Sequence, residues 1–480
     1  MYAKILNLSI PNIISNITIP LVGMADLAIV GLLNDDIALS GIAIGTAIFN
    51  MLYYTFTFLR MGTSGTTAQA YGKKDMQQSV EVLLRGLALA ILISIFILIV
   101  NNLIEQGSLW FMEGSEAVES VAASYYKIRI WAAPATLSLY VFQGWFIGMQ
   151  NSKTPMWIAL FINVINITLS CVFALTLSLG LDGVAYGTLI AQWSGVLLSL
   201  FALWRYYARI FRKVSLTKKS LLSIIDTKKL KTFFTLNLAI LIRTVCLVCV
   251  FTYFTKASSA EGDTYLSANA ILMQLFTLFS YFMDGFAYAG EALAGKFYGA
   301  GNSTLLRKAI SSLFKIGLVM ALLFTVLYLL FGENILSIFT DSPAVLSVAS
   351  DYIYWAAAIP LCGFAAFLWD GILVGMTLSA YLRNSMMIAA AVFFAIYFPL
   401  VYVWDNAALW FAFLAFLATR GIVQWILTQK LLNKEVDISE FWHAKIEKLR
   451  KIKINIPTKI NIPSLGSFHI DNNKDKKKNV

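Results

Sequence analysis

The stretch QGWFIGMQ, Gln143–Gln150, recurs later in the chain as DGILVGMT, Asp370–Thr377. At the same offset in residue number AYGKKD, Ala70–Asp75, aligns with FYGAGN, Phe297–Asn302. We call residues separated by this offset, such as Gln143 and Asp370, repeat equivalents. Self-similarity over a long, fixed period indicates a repeat architecture. We therefore interpret the chain as two copies of one structural unit.

The composition indicates a membrane protein. Of the 480 residues, 59% are apolar and only 13% are charged, which is too little charge for a water-soluble exterior of this size. A continuous apolar run of about 20 residues crosses the hydrocarbon core as a helix. About twelve such runs begin near Leu6, Leu39, Val80, Ser120, Met156, Val184, Phe233, Tyr265, Ala309, Leu346, Met387 and Ala407.

The spans and the repeat together predict the fold class: an all-α polytopic membrane protein with about 12 transmembrane helices. Because each copy holds an even number of spans, the copies share one orientation and form two six-helix bundles related by pseudo-twofold symmetry, with a cleft between them. We place the N-terminal bundle at 1–205, a cytoplasmic linker at 206–231, the C-terminal bundle at 232–432 and a basic cytoplasmic tail at 433–480.

The net charge of +11 follows from topology and not from nucleic-acid binding, because basic residues collect on alternate connections between spans. These connections carry Lys73, Lys74, Lys153, the 205–231 segment, Lys296, Arg307, Lys308 and Arg383. By the positive-inside rule both termini are cytoplasmic, in a multi-pass protein of the bacterial inner membrane. The tail after Leu432 is basic, which favours an interfacial helix and then a disordered segment near anionic lipid.

An aspartate, Asp26, interrupts the apolar run IPLVGMADLAIVG in the first span. A charge at bilayer depth costs about 2.5–3.5 kcal/mol on insertion scales, so a functional role is the default hypothesis. At about 100° per residue, Asn12, Ser15, Asn16 and Gly23 lie on the same helix face as Asp26. The first span therefore has one polar face.

Pro11 and Pro20 lie in the same span, and each removes a backbone donor and favours a bend. In the fifth span, Asn163, Asn166 and Ser170 share a second polar face. Amides and hydroxyls there can hydrogen-bond either form of the Asp26 carboxyl, which predicts a cation-coupling site. The alternative is that these polar residues only hold helices together.

The second half carries its own charged candidates: Arg243 in the seventh span, Asp284 and Glu291 on one face of the eighth, and Asp370 in the tenth. Arg243 could neutralise one of these acids. A structural ion pair and a role in transport both remain open for this group.

Five segments of the chain together form a recognisable pattern: IRTVCLV, LSANAILMQL and YFMDGFAYAGEALAGKFYG within Ile242–Gly299, RMGTSGTTAQAYG at the end of the second span, and GMQNSKTP after the fourth. This combination resembles the multidrug and toxic compound extrusion (MATE) transporters, and most of all their DinF branch. The similarity runs from about Asn7 to Leu432 and excludes the tail.

The resemblance implies an antiporter that expels amphipathic, often cationic, organic compounds through a central cleft, driven by inward H⁺ or Na⁺. It implies that Asp26 is the acid of the first helix, Pro11 the bending proline, Asn166 the partner of the acid, and Thr188 a hydroxyl near the same site. Many relatives carry a second acid where this chain has Ser170. Since Na⁺ needs several oxygens and sufficient negative charge, this departure favours H⁺.

The expected partners are small organic substrates and membrane lipids, without a cofactor or resident metal, and the expected state is a monomer. A lipid-linked oligosaccharide flippase of the same superfamily is the main alternative, although such proteins usually line their cavity with many cationic residues. An intramembrane enzyme lacks support, because no span carries a paired His and acid or a metal-ligand cluster. A channel is disfavoured because a twofold repeat fits rocking better than a pore.

Overall fold

The computed structural model is a bundle of long helices. It describes residues 1–33, 35–112, 115–214 and 227–451. The α-helices, in chain order, are α1 Tyr2–Gly31, α2 Asp36–Thr55, α3 Phe58–Gly72, α4 Met76–Ile99, α5 Asn101–Met112, α6 Glu116–Arg129, α7 Ala133–Gly148, α8 Lys153–Cys171, α9 Gly180–Lys213, α10 Thr227–Ala260, α11 Asp263–Gly299, α12 Ser303–Leu336, α13 Pro343–Gly375 and α14 Ser379–Lys451. A 3-10 turn, Ile130–Ala132, joins α6 to α7, and a π-helical turn, Val172–Thr176, extends α8.

Eleven of the described helical segments are long and apolar enough to cross a membrane. The last, Ser379–Lys430, has 52 residues, or about 78 Å at 1.5 Å per residue, which is more than twice the hydrocarbon thickness of about 30 Å. The backbone of Asp405 is non-helical, with φ 44° and ψ −126°, so α14 consists of two helices that meet there. Counting that segment as two crossings confirms the predicted twelve spans.

The turns between helices reproduce the sequence repeat. Six residues with positive φ form three pairs, and the members of each pair are repeat equivalents. The pairs are Lys74 (60°) with Gly301 (65°), Gln150 (65°) with Thr377 (56°), and Ser178 (56°) with Asp405 (44°). The break inside α14 is therefore the counterpart of the turn between α8 and α9.

The helices that follow the first of these turns are also capped alike. The Asp75 side chain accepts a hydrogen bond from the Gln78 backbone N–H at 2.8 Å, and the Asn302 side chain accepts one from that of Leu305 at 2.9 Å. Both caps satisfy an amide that lacks a partner within its own helix.

Each half has one central span. The segments Glu116–Gly148 and Pro343–Gly375 are each 72% buried in their most apolar window, against 22–44% for the other spans. These two segments are also repeat equivalents, end to end. They form the middle of the two bundles.

Glycines bring neighbouring helices close to each central span. A Cβ at Gly144 would lie 3.2 Å from Arg60 Cα, and a Cβ at Gly371 would lie 2.8 Å from Ala287 Cα. The two contacts are repeat equivalents. They fix α3 against α7 in the first half and α11 against α13 in the second.

The two halves meet toward one end of the bundle. We call it the basic end, because its connections carry Lys73, Lys74, Lys153, Lys296, Arg307, Lys308 and Arg383, and we call the opposite end the acidic end. A Cβ at Gly72 would lie 2.9 Å from the Lys296 carbonyl carbon, and one at Gly299 would lie 2.7 Å from Gln69 Cα. These contacts are symmetric across the seam between the halves.

Hydrogen bonds also join the halves between mid-span and the basic end. They run from Asn16 Nδ2 to the Tyr281 carbonyl (3.2 Å), from Gln69 Nε2 to Thr377 Oγ1 (2.9 Å) and from Gln150 Nε2 to the Ala292 carbonyl (2.7 Å). In contrast, the described stretch of α1 from 17 to 28 contains no buried residue on any face. The cleft is therefore closed at the basic end and open toward the acidic end.

Two of the predicted segments fall partly outside the described residues. Helix α9 ends at Lys213 and α10 begins at Thr227, so 215–226 of the proposed linker lies outside them, as does 452–480 of the tail. The backbone of α14 is helical as far as Lys451. The domain boundaries stay a prediction.

Candidate cation-coupling site

The polar face of α1 divides into two parts. Near the basic end, Asn12 Nδ2 donates to Ser152 Oγ at 3.0 Å, and Asn16 Nδ2 donates across the seam to Tyr281. Ser15 Oγ donates to the Pro11 carbonyl at 3.1 Å within the helix. All three side chains have partners, and Asn12 and Asn16 join α1 to other parts of the chain.

Helix α1 belongs to both halves. Ile5, Leu8 and Ile13 are buried in the core cluster of the second half, whereas Ile29 and Val30 are buried in that of the first. The two predicted bend residues, Pro11 and Pro20, lie within a helix that is unbroken from Tyr2 to Gly31. Any movement of one half relative to the other must therefore be absorbed by α1.

At the acidic-end part of α1, Asp26 lies in a site whose polar atoms lack partners. Asp26 Oδ1 is buried without a hydrogen-bond partner, and so are Asn163 Nδ2 and Asn166 Oδ1, while Ser170 Oγ lies near the Asp26 carboxyl without a well-formed hydrogen bond. Ser170 and Asn166 are buried, while Asp26 itself is half-buried. Buried polar atoms are nearly always hydrogen-bonded, so these atoms on the contacting helices α1 and α8 require an explanation.

Two other polar groups of this site, the Asn166 amide NH2 and the Thr188 hydroxyl, are held by hydrogen bonds. Asn166 Nδ2 donates to Thr188 Oγ1 at 2.9 Å, and Thr188 Oγ1 donates to the Val184 carbonyl at 3.0 Å. Helices α8 and α9 are close there, since a Cβ at Gly187 would lie 2.7 Å from Ser170 Oγ. The π-helical turn begins two residues after Ser170, and such turns are frequent at functional sites.

An arginine that the sequence reasoning missed lies beside this site. Arg129 contributes positive charge to the surroundings of Asp26. Its Nη1 donates to the Tyr125 hydroxyl at 2.5 Å, and its guanidinium lies 4.8 Å from the centre of the Phe49 ring. Among the described residues Asp26 is therefore near a cation but not bound to one.

Asp370, in the second half, differs from Asp26 in that both of its carboxylate oxygens have hydrogen-bond partners. Asp370 Oδ2 accepts from Arg243 Nη2 and from Arg420 Nη2, the latter at 2.6 Å, and Asp370 Oδ1 accepts from Gln424 Nε2 at 2.7 Å. Arg420 is 2% exposed. Arg420 and Gln424 were also missed by the sequence reasoning, although an arginine inside a predicted span is itself a signal. This cluster resembles a structural ion pair.

Asp284 and Glu291, predicted to share a face of α11, have different surroundings. Asp284 is half-buried and lies in the electrostatic field of Arg243 and Arg60. It forms no hydrogen bond or ion pair within the part of the chain that the structure describes. Glu291 is buried and pairs with Arg60 Nη1 at 3.3 Å, across the seam.

The repeat places an aromatic cluster where the first half has the Asp26 site. The repeat equivalents of Asp26, Asn166 and Ser170 are Tyr253, Phe393 and Tyr397. The ring of Tyr253 lies 6.3, 5.1, 5.5 and 5.8 Å, centre to centre, from those of Phe393, Phe394, Tyr397 and Phe398. We call these five residues the aromatic cluster.

Comparisons with known proteins agree with this organisation. A family model described as MatE matches two segments of the chain, 11–172 and 239–403. The chain is 34% identical over 416 residues to the DNA damage-inducible protein F of Escherichia coli, covering 87% of this chain and 89% of that protein. It is 23% identical to the multidrug resistance protein MdtK of Proteus mirabilis, over 78% and 81% of the two chains.

Solved structures show the same fold. A crystal structure of MATE in the straight conformation superposes with a TM-score of 0.80 at 19% identity, covering 90% of this chain and 96% of the other. MATE in the bent conformation gives a TM-score of 0.79 at 17% identity, over 91% and 96% of the two chains.

Proposed function

This chain belongs to the MatE family of multidrug and toxic compound efflux transporters, and on that premise we propose that it exports amphipathic, often cationic, organic compounds in exchange for H⁺. It is a multi-pass membrane protein and not an enzyme. We place it as a monomer in a bacterial inner membrane with both termini in the cytoplasm. The mechanism is alternating access, in which the cleft opens to one side at a time.

The distribution of charge supports the orientation. Lysines and arginines on the connections at the basic end favour a cytoplasmic location for that end. The seam at the basic end then closes the cytoplasmic side, and the open end of the cleft faces outward. In this state Asp26, near the acidic end of α1, is on the side from which protons enter.

The observation that carries the proposal is the set of unpartnered buried atoms around Asp26. An ionised carboxylate can only accept hydrogen bonds, whereas a protonated one donates a single O–H. Asn166 Oδ1 is a buried acceptor without a partner in the same site. Ser170 Oγ and Asn163 Nδ2 can donate to an ionised Asp26, and a protonated Asp26 can donate to an acceptor such as Asn166 Oδ1, so this polar face offers groups for both forms of the carboxyl.

The packing of α1 connects protonation to movement. Its basic-end part is held in the core of the second half and its acidic-end part in that of the first. We infer that neutralising Asp26 lets the acidic-end part move toward α8 and α9, with the bend between Pro11 and Pro20. Release of the organic compound to the outside follows from this change in the cleft wall.

The donor set favours H⁺ over Na⁺ as the coupling ion. Na⁺ would need several oxygen ligands and enough negative charge, and Asp26 is the sole carboxylate among the predicted site residues of the first half. For an uncharged compound exchanged for one H⁺, the charge moving down 100 mV supplies about 2.3 kcal/mol, or a concentration ratio of a few tens. For a monovalent cation the same exchange moves no net charge, so the pH gradient alone, or a second H⁺, drives efflux.

The ion pairs formed by the buried arginines disfavour a flippase for lipid-linked sugar phosphates. Arg243 and Arg420 are bound to Asp370, and Arg60 is bound to Glu291. Asp284 lies in the field of the same arginines, so three carboxylates face three guanidinium groups and leave little net positive charge to attract phosphate. A site without a strong positive field suits amphipathic organic compounds better than lipid-linked phosphates.

The test is Asp26→Asn in everted vesicles, with substrate-induced proton release as the measurement. Tyr253→Phe is the matched control, because Tyr253 is the repeat equivalent of Asp26 and is packed in the aromatic cluster. We expect at least a tenfold lower rate of proton release for Asp26→Asn and a rate within twofold of wild type for Tyr253→Phe. Proton release at the wild-type rate in Asp26→Asn would refute the proposed role of this carboxyl.

A further inference from the structure

The seam that closes the basic end combines symmetric glycine contacts with a pair of charges that has no symmetric counterpart. Gly72 and Gly299 make equivalent contacts across it. Arg60 and Glu291 also meet across it, but their repeat equivalents are Ala287 and Ser64, which cannot form an ion pair. The pair therefore occurs once, on one side of the pseudo-twofold axis.

The pair is removed from water. The side chains of Arg60 and Glu291 are 7% and 2% exposed. The Arg60 guanidinium also lies 4.1 Å from the centre of the Tyr288 ring, which is a cation–π contact to the second half. A buried cation and a buried carboxylate interact strongly when paired, and each is strongly penalised when its partner is taken away.

Arg60 and Glu291 both lie where their helix packs closely against another helix of the same half. A Cβ at Gly144 would lie 3.2 Å from Arg60 Cα, and a Cβ at Gly375 would lie 3.0 Å from the Glu291 carbonyl carbon. Helix α3 is thereby fixed against α7 in the first half, and α11 against α13 in the second. If the halves rock apart at the basic end, Arg60 and Glu291 must separate with them.

We propose that the Arg60–Glu291 pair is the latch that holds the cleft closed at the basic end. Breaking it raises the population of the state that is open there, because the closed state loses an interaction that the open state never had. Each transport cycle must break and re-form this pair. The inference rests on the proposed alternating-access function, and it adds the residues that set the balance between the two states.

The measurement is the distance between two spin labels on the basic end. Lys73 and Ala300 are exposed, lie in opposite halves and are repeat equivalents, so labelled cysteines at these positions report opening at the seam. The four native cysteines are replaced beforehand, in the full chain and in lipid nanodiscs. We expect one short distance to dominate in the otherwise wild-type protein.

Neutralising either partner should release the latch. In Arg60→Gln and in Glu291→Gln we expect the ratio of long to short distances to rise at least tenfold, which corresponds to about 1.4 kcal/mol. The charge-swapped variant Arg60→Glu/Glu291→Arg should return the ratio toward the wild-type value. The matched control is Lys127→Gln, which removes the exposed partner of an ion pair with Glu105 inside the first half and should leave the distances unchanged.

Three results would overturn the latch: unchanged distances in both neutral variants, no recovery in the swapped variant, or an equal shift in Lys127→Gln. If a single variant fails to fold, the double variant Arg60→Gln/Glu291→Gln leaves no unpaired buried charge, and it too must raise the long-distance population. Failure of the proposed function is distinguishable, because it would appear as missing substrate-induced proton release in the wild-type protein while the label distances still responded to Arg60.

Discussion

The Asp26 site and the aromatic cluster occupy the same place in the two halves, yet they have opposite chemistry. The first half places a carboxylate, amides and a hydroxyl there, several of them with unpartnered atoms. The second half fills the equivalent space with rings that contact one another. The repeat therefore preserves the backbone and leaves interior side chains free to diverge. We infer that the coupling ion is handled by one half only.

The charged cluster of the second half diverges in the same way. Asp370, Arg243 and Arg420 have Gln143, Asn16 and Trp193 as repeat equivalents in the first half. The glycines of the paired contacts, Gly72 with Gly299 and Gly144 with Gly371, are retained in both halves, whereas none of the buried charged residues named above has a charged equivalent. Positions where the symmetry fails are thus the places to look for function, and three of them are the Asp26 site, the Asp370 cluster and the Arg60–Glu291 latch.

The largest expected effect compares two acids of the second half: Asp370, which is held in ion pairs, and Asp284, which within the described ranges is not. Asp370→Asn leaves Arg243 and Arg420 buried without their anion, so we expect the free energy of unfolding to fall by about 3–5 kcal/mol. Asp284→Asn removes a carboxylate that holds no bond among the described residues, and we expect a change below about 1 kcal/mol. Thermal unfolding of the purified protein in one detergent compares the two variants.

Equal destabilisation by the two substitutions would contradict this division. Asp284 would then be as deeply involved in structure as Asp370. Arg420→Gln gives a second reading, because it removes one of the two cations on Asp370 and should destabilise less than Asp370→Asn.

A smaller effect is expected when a second acid is introduced into the Asp26 site of the first half. Ser170→Asp places a second carboxylate in the Asp26 site, and the added negative charge and oxygen ligands favour Na⁺. We expect efflux by this variant to fall at least tenfold when Na⁺ is replaced by choline, whereas wild-type efflux changes less than twofold. Ser170→Asn is the matched control, because it adds similar volume without charge. Sodium dependence in Ser170→Asn would show that side-chain size, and not charge, sets the ion preference.

The sequence predicted the helical scaffold well, because apolar runs and the constant offset between repeat equivalents are properties of the chain itself. The same offset even accounts for the break at Asp405, whose equivalent is Ser178. Partners of buried charges could not be predicted in the same way, since they depend on which helix faces meet. Arg60 and Glu291 are 231 residues apart in the chain and are joined only by the seam.

The polar face of α1 shows the same limit at single residues. Helical geometry placed Asn16 and Asp26 on one face, but the structure gives Asn16 a carbonyl acceptor across the seam and leaves Asp26 Oδ1 without a partner. Residue spacing alone cannot distinguish a side chain that joins two helices from one whose polar atom stays unpartnered. Arg129 could not be predicted as a neighbour of Asp26 either, because the two residues lie in different spans and come together only in the folded protein.

The smallest expected effect tests whether the two halves are energetically as well as geometrically equivalent at their turns. Asp75→Ala and Asn302→Ala each remove a side-chain acceptor from an exposed helix N-terminus, at a cost of about 1 kcal/mol. Because the cost is local, hydrogen–deuterium exchange at the freed amides of Gln78 and Leu305 should rise about fivefold in the respective variants. Ser342→Ala is the control: the Ser342 side chain forms no capping bond at the start of α13, so its first-turn amides should exchange as in wild type. A response in Asp75→Ala alone would mean that the repeat retains the shape of this turn but not its strength.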